Sequence, residues 1–413
     1  MKAIKTEIPG GAMGISAYDQ REIDAVTEIM KNPGTMFRHR GAALSQCDLF
    51  EREVAEYTGA KHALYISSGT QALVCCLSAL EIGPGDEVIV PAYTFIATAA
   101  AVIDVGAVPV IAEIDESLGI SPESVRKNIT PYTKAIIPVH MMSVPCKMDE
   151  IHAIAKEHNL FVIEDCCQAV GVKYKGLHCG MRSDAWAWSL NYYKNITSGE
   201  GGVFFTNDSA NFQRGVFQSD PGMPMWDTGL KNIYDDLKPF SRGGYRASEL
   251  SASIARIQLS KLDSIINKTR GLKKLLLSRL NKPINYTLQH VDDPEGDGGL
   301  SFAMIAHTKE TALKLSERLK EEGLYIGSVY TGGFPDRHIY SNWTSILTKT
   351  GATKAGYPWK DPSYKGSVEY SADMCPETLS LLARALRLSL NINMSDINME
   401  EIADAINKAD AAV

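Results

Sequence analysis

The chain lacks the marks of several large protein classes. None of its 8 cysteines forms a Cys-x-x-Cys pair, two couples are adjacent (Cys75-Cys76, Cys166-Cys167), and no histidines stand at ligand spacing. That argues for reduced core thiols, with no zinc site, no disulfide framework and no metal expected. No apolar run is long enough for a membrane span, since the longest charge-free stretch, Val88 to Ile103, is short and contains Pro91. The opening Met1-Lys-Ala-Ile-Lys-Thr-Glu has no apolar signal region, so a cytoplasmic protein is expected. A net charge of −7 without any Lys/Arg cluster removes nucleic acid as an expected partner. A Walker lysine and a dinucleotide glycine fingerprint are also missing, which makes a nucleotide-dependent doubly wound enzyme a remote reading.

What is present has the rhythm of an α/β protein, and 413 residues exceed one ordinary core, so two domains are expected. Short apolar runs (62–66, 87–90, 108–112, 134–139, 160–164, 185–189 and 202–205) alternate with helix-length segments, predicting a mostly parallel sheet covered on both faces. Residues 207–243, with Pro221, Pro224 and Pro239, read as a long loop with some helix, on the substrate or dimer side. One continuous amphipathic helix is expected from Ser248 through Leu262 toward Leu280, linking a large domain (1–265) to a smaller C-terminal α+β domain (266–413). The latter holds expected strands at 300–306 and 385–392, a helix at 308–322 and a final helix capped near Ser395; 331–376 is its least regular part.

Three segments carry chemistry. Lys194 lies in Ser189-Leu-Asn-Tyr-Tyr-Lys-Asn-Ile-Thr-Ser-Gly-Glu-Gly-Gly202, whose glycines allow a tight turn before the next strand. Asp165 ends the apolar run Leu160-Phe-Val-Ile-Glu-Asp. A lysine amine that forms a Schiff base and a carboxylate that keeps a pyridine nitrogen protonated are what pyridoxal phosphate (PLP) chemistry needs. Ala63-Leu-Tyr-Ile-Ser-Ser-Gly-Thr-Gln-Ala-Leu reads as a strand, a hydroxyl-rich turn and a helix start, which is either a plain N-cap or a phosphate site. Ser67, Asp165, Gln168 and Ser189 all fall at the carboxyl ends of expected strands, where ligands gather in such sheets.

Ser67-Ser-Gly-Thr-Gln-Ala-Leu, Gly83-Pro-Gly-Asp-Glu-Val-Ile-Val-Pro-Ala-Tyr-Thr-Phe-Ile-Ala-Thr, Thr130-Pro-Tyr-Thr-Lys-Ala-Ile-Ile-Pro-Val-His, Ile163-Glu-Asp-Cys-Cys-Gln-Ala and Lys194-Asn-Ile-Thr-Ser-Gly-Glu-Gly-Gly occur in that order. In this the chain resembles the DegT/StrS sugar aminotransferases, strongly over about residues 45 to 270. The resemblance implies a PLP-dependent aminotransferase of the aspartate-aminotransferase-like fold (PLP fold type I), a homodimer moving an amino group from glutamate or glutamine to a keto or aldehydo sugar. It implies that Lys194 is the Schiff-base lysine and Asp165 the pyridinium partner. Gln168 is then the hydrogen-bond donor to the cofactor phenolate, Phe95 the residue stacked on the ring, and Gly69, Thr70 and Ser189 the phosphate holders.

Two positions depart from the family pattern. Gly244 stands where an asparagine usually reaches the neighbouring subunit's cofactor phosphate, and Asn191 where many members carry histidine, a substrate-side position. Arg246 is a candidate to supply the missing charge or to bind substrate; an ordinary ion pair is its other reading. Because a dehydratase subgroup has histidine in place of the lysine, Lys194 argues for amino transfer. A cyclitol or nucleotide-sugar aminotransferase, a dehydratase and a non-catalytic regulator of the same fold remain alternatives. Met36-Phe-Arg-His-Arg, Asp165-Cys-Cys-Gln and Gly296-Asp-Gly-Gly-Leu-Ser-Phe resemble, in part, the branch that aminates C8 of a 3,8-dideoxy-octulosonate for lipopolysaccharide. On that reading Arg38, Arg40 and Arg246 pair with the substrate carboxylate, the alternative being surface ion pairs.

Overall fold

A computed structural model describes residues 2–38, 45–221, 238–331 and 335–413. Its strands are β1 (His62–Ile66), β2 (Glu87–Pro91), β3 (Val108–Ala112), β4 (Thr133–Ile136), β5 (Phe161–Asp165), β6 (Lys173–Tyr174), β7 (Leu177–His178), β8 (Ala185–Ser189), β9 (Gly202–Thr206), β10 (Tyr286–Leu288), β11 (Ser301–Ala306) and β12 (Ala385–Ser389). Seven of them form one sheet in the order β1-β9-β8-β5-β4-β2-β3, in which β9 alone runs against the others. This is the expected mostly parallel α/β architecture. The strands read as unbroken apolar runs because both faces are covered.

Period-two alternation divides those strands between two cores. Leu64, Ile66, Val88, Val90, Ile163, Ala185, Ala187 and Phe204 face one side, with the helices Gly69–Ala79 and Ala97–Val105. Ala63, Tyr65, Ile89, Val162, Trp186, Trp188, Val203 and Phe205 face the other, with the helices Gln46–Thr58, Met148–His158 and Glu249–Leu259. Helix Gly69–Ala79 is buried along nearly its whole length, which explains why it carries no charged face.

A second, antiparallel sheet, β10-β11-β12, packs with the helices Lys309–Glu321 and Asp396–Ala411 around a third core. The helix expected to run unbroken from Ser248 to Leu280 is two helices, Glu249–Leu259 and Leu262–Arg279. At the break, Lys261 is pulled toward the N-terminal segment, its Nζ 2.6 Å from both Ala17 O and Glu22 Oε1. The expected boundary at 265/266 falls inside the second helix, whose Leu262, Ile265 and Ile266 enter a core of the large sheet while Leu272 and Leu276 enter the C-terminal core. Ala3, Ile4 and Ile8 also pack on that C-terminal core, although they precede the large sheet in sequence. Among the described residues no helix is long and apolar enough to cross a membrane.

Candidate active site

The carboxyl ends of β1, β5 and β8 meet at one edge of the sheet. Register places Ile66 and Ser189 opposite the same residue, Gly202 of β9, and Asp165 opposite Ala187. After β1 the chain turns at Ser67 and Ser68 into helix Gly69–Ala79, with the Ser68 hydroxyl accepting from Gln71 N at 3.2 Å. The free amides of that first turn, at the positive end of the helix dipole, form an anion cradle. Steric crowding demands glycine around it. A Cβ on Gly202 would sit 2.3 Å from the Ser68 carbonyl, and one on Gly69 would sit 2.6 Å from Ser189 Cβ. Gly69, Thr70 and Ser189 are thus brought together.

Asp165 ends β5 on the same face as Ile163, while Glu164 points the other way into a buried network with His140, Ser183 and Gly180 N. The Asp165 carboxylate is only 4 % exposed. Its Oδ2 accepts from Thr98 Oγ1 at 2.8 Å and its Oδ1 from Cys167 N at 3.0 Å. Among the described residues it forms no ion pair, so a buried anion at the floor of the site has hydrogen bonds but no cation. A protonated heterocyclic nitrogen would supply such a partner, since buried charges are ordinarily paired. Thr98 is one helical turn from Phe95, whose ring is 39 % exposed and 5.4 Å from that of His338.

Lys194 sits in a compact turn in which its N–H donates to Asn191 O at 2.9 Å. Its carbonyl accepts from Gly14 N, also at 2.9 Å, and a Cβ on Gly14 would lie 2.8 Å from that oxygen. Lys194 lines a cavity of about 330 Å³ together with Gln168, Met142, His338, Ser301 and residues 11–13. The Cys167 thiol beside it is pushed well up by burial and by Asp165, with the Lys194 charge working in the opposite direction. Gln168 Oε1 accepts from Met142 N at 3.4 Å. Met142 and Ser143 hold left-handed backbone, φ 55° and 68°, and are clamped there by Ser301 Oγ on Met142 O and by Leu300 N on Ser143 Oγ. Such strain persists only where the surroundings impose it. A larger cavity of about 520 Å³, bordered by Arg270, Lys273 and Gln289, contains none of these residues; size alone does not mark the site.

The substrate-side candidates are more scattered. Asn191 donates from Nδ2 to Glu200 Oε1 at 2.9 Å. Arg246 bridges Ile66 beside the cradle and donates to the buried Asp220 at 3.0 Å. Arg38 does not present its guanidinium to the site as expected: it is buried and bound to Asp48 and Glu51, at 2.8 and 2.6 Å, because helix Gln46–Thr58 holds both acids beneath it. Arg40 lies outside the described residues. The sequence reading did not single out residues 11–13, Thr98, Met142 or His338. Only Thr98 left a local signal, at helical spacing from Phe95. A buried trio, His140, Glu164 and Cys166, brings ligand-type atoms within 4.8 Å of one another. Both imidazole nitrogens are already engaged there, Nδ1 by Cys146 N and Nε2 by Glu164.

With a lysine lining a cavity, a buried carboxylate that forms no ion pair among the described residues and a glycine-walled anion cradle, the donor set fits pyridoxal phosphate. Comparison with known proteins agrees: the model of the DegT/DnrJ/EryC1/StrS aminotransferase family matches residues 17–353. The spore coat polysaccharide biosynthesis protein SpsC of Bacillus subtilis is 31% identical over 398 residues, 94% of each chain. GDP-perosamine synthase of Vibrio cholerae is 37% identical over 234 residues, which cover 56% of this chain and 62% of that protein, less than two thirds of its length. The crystal structure of 3-amino-5-hydroxybenzoic acid synthase superimposes with a TM-score of 0.79 at 25% identity, covering 98% of this chain and 99% of that one.

Proposed function

Because the chain belongs to the DegT/DnrJ/EryC1/StrS aminotransferase family, whose members depend on pyridoxal phosphate, we propose that it transfers an amino group from glutamate or glutamine to a keto or aldehydo sugar. The observation that carries this reading is the buried Asp165, which has no ion pair among the described residues and lies, like Lys194, beside Cys167; Lys194 in turn lines the cavity. When bound, the cofactor supplies an electron sink for the pair left behind as the substrate carbon loses its proton. The protein does the rest. Lys194 holds the cofactor at rest and, once displaced, its Nζ takes the proton from the substrate carbon and returns it on the cofactor side. Asp165 would keep the pyridine nitrogen protonated, and hydrogen bonds from Thr98 Oγ1 and Cys167 N hold its carboxylate in place. Gln168 donates to the phenolate, Phe95 covers the ring and excludes water, and the Gly69 and Thr70 amides with the Ser189 hydroxyl hold the phosphate.

We place this chemistry in a cytoplasmic homodimer. Arg246, half exposed at the rim of the cradle, reaches the neighbour's cofactor or substrate where Gly244 offers no side chain. For the acceptor, similarity to GDP-perosamine synthase favours a nucleotide-linked hexose. The partial motif at 36–40 and 296–302 favours C8 of a 3,8-dideoxy-octulosonate on the way to lipopolysaccharide, although Arg38 is committed elsewhere. The test is spectroscopic. Glutamate or glutamine should bleach the near-visible band of the PLP form, and an acceptor sugar should restore it. Recovery with a nucleotide diphosphate keto-hexose and none with the aldehydo-octulosonate would remove the octulosonate assignment; bleaching by neither donor would remove the donor assignment.

A further inference from the structure

The cavity of about 520 Å³ bordered by Arg270, Lys273 and Gln289 lies between the helix Leu262–Arg279, the end of β10 and the start of β11. It shares no lining residue with the Lys194 cavity. Its volume is that of a small-molecule pocket. Phe302, 1 % exposed, belongs to its lining, and Leu277 and Leu288 border it while still 38 % and 40 % exposed, an apolar surface that the fold leaves uncovered. Gly271 keeps the helix wall open, since a Cβ there would meet nothing within 4 Å.

The polar groups around it are unevenly matched. Lys273 Nζ and Asp297 Oδ2 meet at 2.5 Å with both side chains nearly buried, so neither charge is left over. Arg270 reaches Glu295 at 3.2 Å, but that acid is 95 % exposed, and a pair in water holds the guanidinium only weakly. Lys274, exposed on the same helix, forms no ion pair among the described residues. The rim is therefore short of negative charge. Gln289, 8 % exposed, is short of a donor: its Nε2 donates to Ser117 O at 2.6 Å, which fixes the amide, and its Oε1 is buried with no hydrogen-bond partner. Leaving a buried acceptor unmatched is costly, and an N–H or O–H brought by a ligand would relieve it.

We propose that this cavity is a second ligand site, which takes a small amphipathic organic anion and reports its presence to the cofactor. The ligand sets an apolar ring against Phe302, Leu277 and Leu288, gives one N–H or O–H to Gln289 Oε1, and turns its acid group to Lys274 and Arg270. One short segment separates the two cavities. Asp297 and Gly299 border this one, while Leu300 and Ser301 border that of Lys194. Within it Gly298 N and Leu300 N donate to Ser143 O and Oγ at 3.0 and 3.1 Å, and Met142 N, next in the chain, donates to Gln168. A ligand that braces the segment thus bears on Gln168. This coupling rests on the role given to Gln168 above; the binding site does not.

The test uses PLP-loaded enzyme, as the parent and as Gly271→Leu, whose side chain enters open space outside the catalytic machinery. The probes are 8-anilinonaphthalene-1-sulfonate, which carries rings, an N–H and an anion together, and indole-3-acetate with its N1-methyl analogue, all titrated by calorimetry. The parent should bind the sulfonate saturably, and Gly271→Leu should raise its Kd by about tenfold or more, with Tm and PLP content held. The N1-methyl compound, more apolar but without the donor, should bind less tightly than indole-3-acetate. Bound indole-3-acetate should change the rate of PLP release from the parent by about fivefold or more and leave that of Gly271→Leu unmoved. Equal binding by the two chains overturns the site, as does the absence of saturable binding, the result expected if a second copy of the chain covers the cavity. Equal affinity for the two indole acids overturns the part given to Gln289. Plug-sensitive binding that never alters PLP release overturns the coupling alone. Failure of borohydride to fix PLP onto Lys194 would instead overturn the functional reading, with the binding site left standing.

Discussion

Asp165→Asn separates the charge of the buried carboxylate from its shape. In the parent, Oδ1 accepts from Cys167 N at 3.0 Å and Oδ2 from Thr98 Oγ1 at 2.8 Å, and Thr98 Oγ1 is itself 2.8 Å from Thr94 Oγ1. The amide keeps its oxygen toward Cys167 and turns its NH₂ toward Thr98, whose hydroxyl can give its proton to Thr94 and accept in return. No buried group is orphaned, so stability should change by no more than about 1 kcal/mol. The loss falls on chemistry, because a neutral amide cannot balance a protonated pyridine. Removing one partner of a buried charge pair costs about 3–4 kcal/mol, which corresponds to roughly two to three decades in rate. Thermal melts, PLP content and single-turnover rates with glutamate on the same preparation read all three quantities. Turnover within about tenfold of the parent at full cofactor content would mean that a different group faces the ring, and the assignment of Asp165 would be lost.

Lys194→Ala should abolish the PLP that borohydride fixes to the chain; persistence on another lysine refutes the assignment. Gly69→Ala drives a methyl into Ser189 Cβ at 2.6 Å, so PLP affinity should fall by about tenfold or more, with a stability loss of about 1–3 kcal/mol; unchanged affinity would place the phosphate elsewhere. Mixed subunits carrying Lys194→Ala and Arg246→Ala should regain activity absent from either alone, and verified heterodimers without recovery argue against a shared site. His178, whose Nδ1 is buried and unpartnered, has its pKa lowered to about 4 by burial, aided by Lys173 and opposed by Asp263. The unfolded chain then binds the extra proton first, so its contribution is complete above the ordinary value of 6.5 and is lost as pH falls toward 4. Allowing for partial exposure, that is on the order of 1–2 kcal/mol; a His178→Leu chain whose Tm falls just as steeply with acid would contradict it.

The sequence displays residues that a local string marks as candidates. Asp165 closes an apolar run, Gly69 opens a helix after a strand, and Lys194 precedes a glycine turn, so all three could be placed before any fold was known. Arg38 and Arg387 show the limit. Each is one arginine among 42 basic residues, and what distinguishes them is the partner, which only folding supplies. Asp48 and Glu51 take the first, and no acid forms an ion pair with the second among the described residues. The break at Lys261 was hidden for a related reason, since amphipathic spacing runs through it unbroken and its cause, Glu22, lies far away in sequence. Gly14 looks like any loop glycine until Lys194 O and Thr197 are set against it.

That glycine belongs to a strap. Ala3 N and Ile4 N are tied to Glu322, and Thr6 N to Glu401, in the C-terminal part of the chain, while Gly14 N holds the lysine turn of the large sheet. About ten residues therefore span the cleft as a tether anchored at both banks, with residues 11–13 forming part of its wall. Fully extended, such a length reaches at most ~35 Å, so the tether sets a mechanical stop on how far the two banks can part. Any load hung on the first residues, including a fusion partner or an affinity tag, is met first by the anchors at Glu322 and Glu401, which shield the lysine turn at the far end.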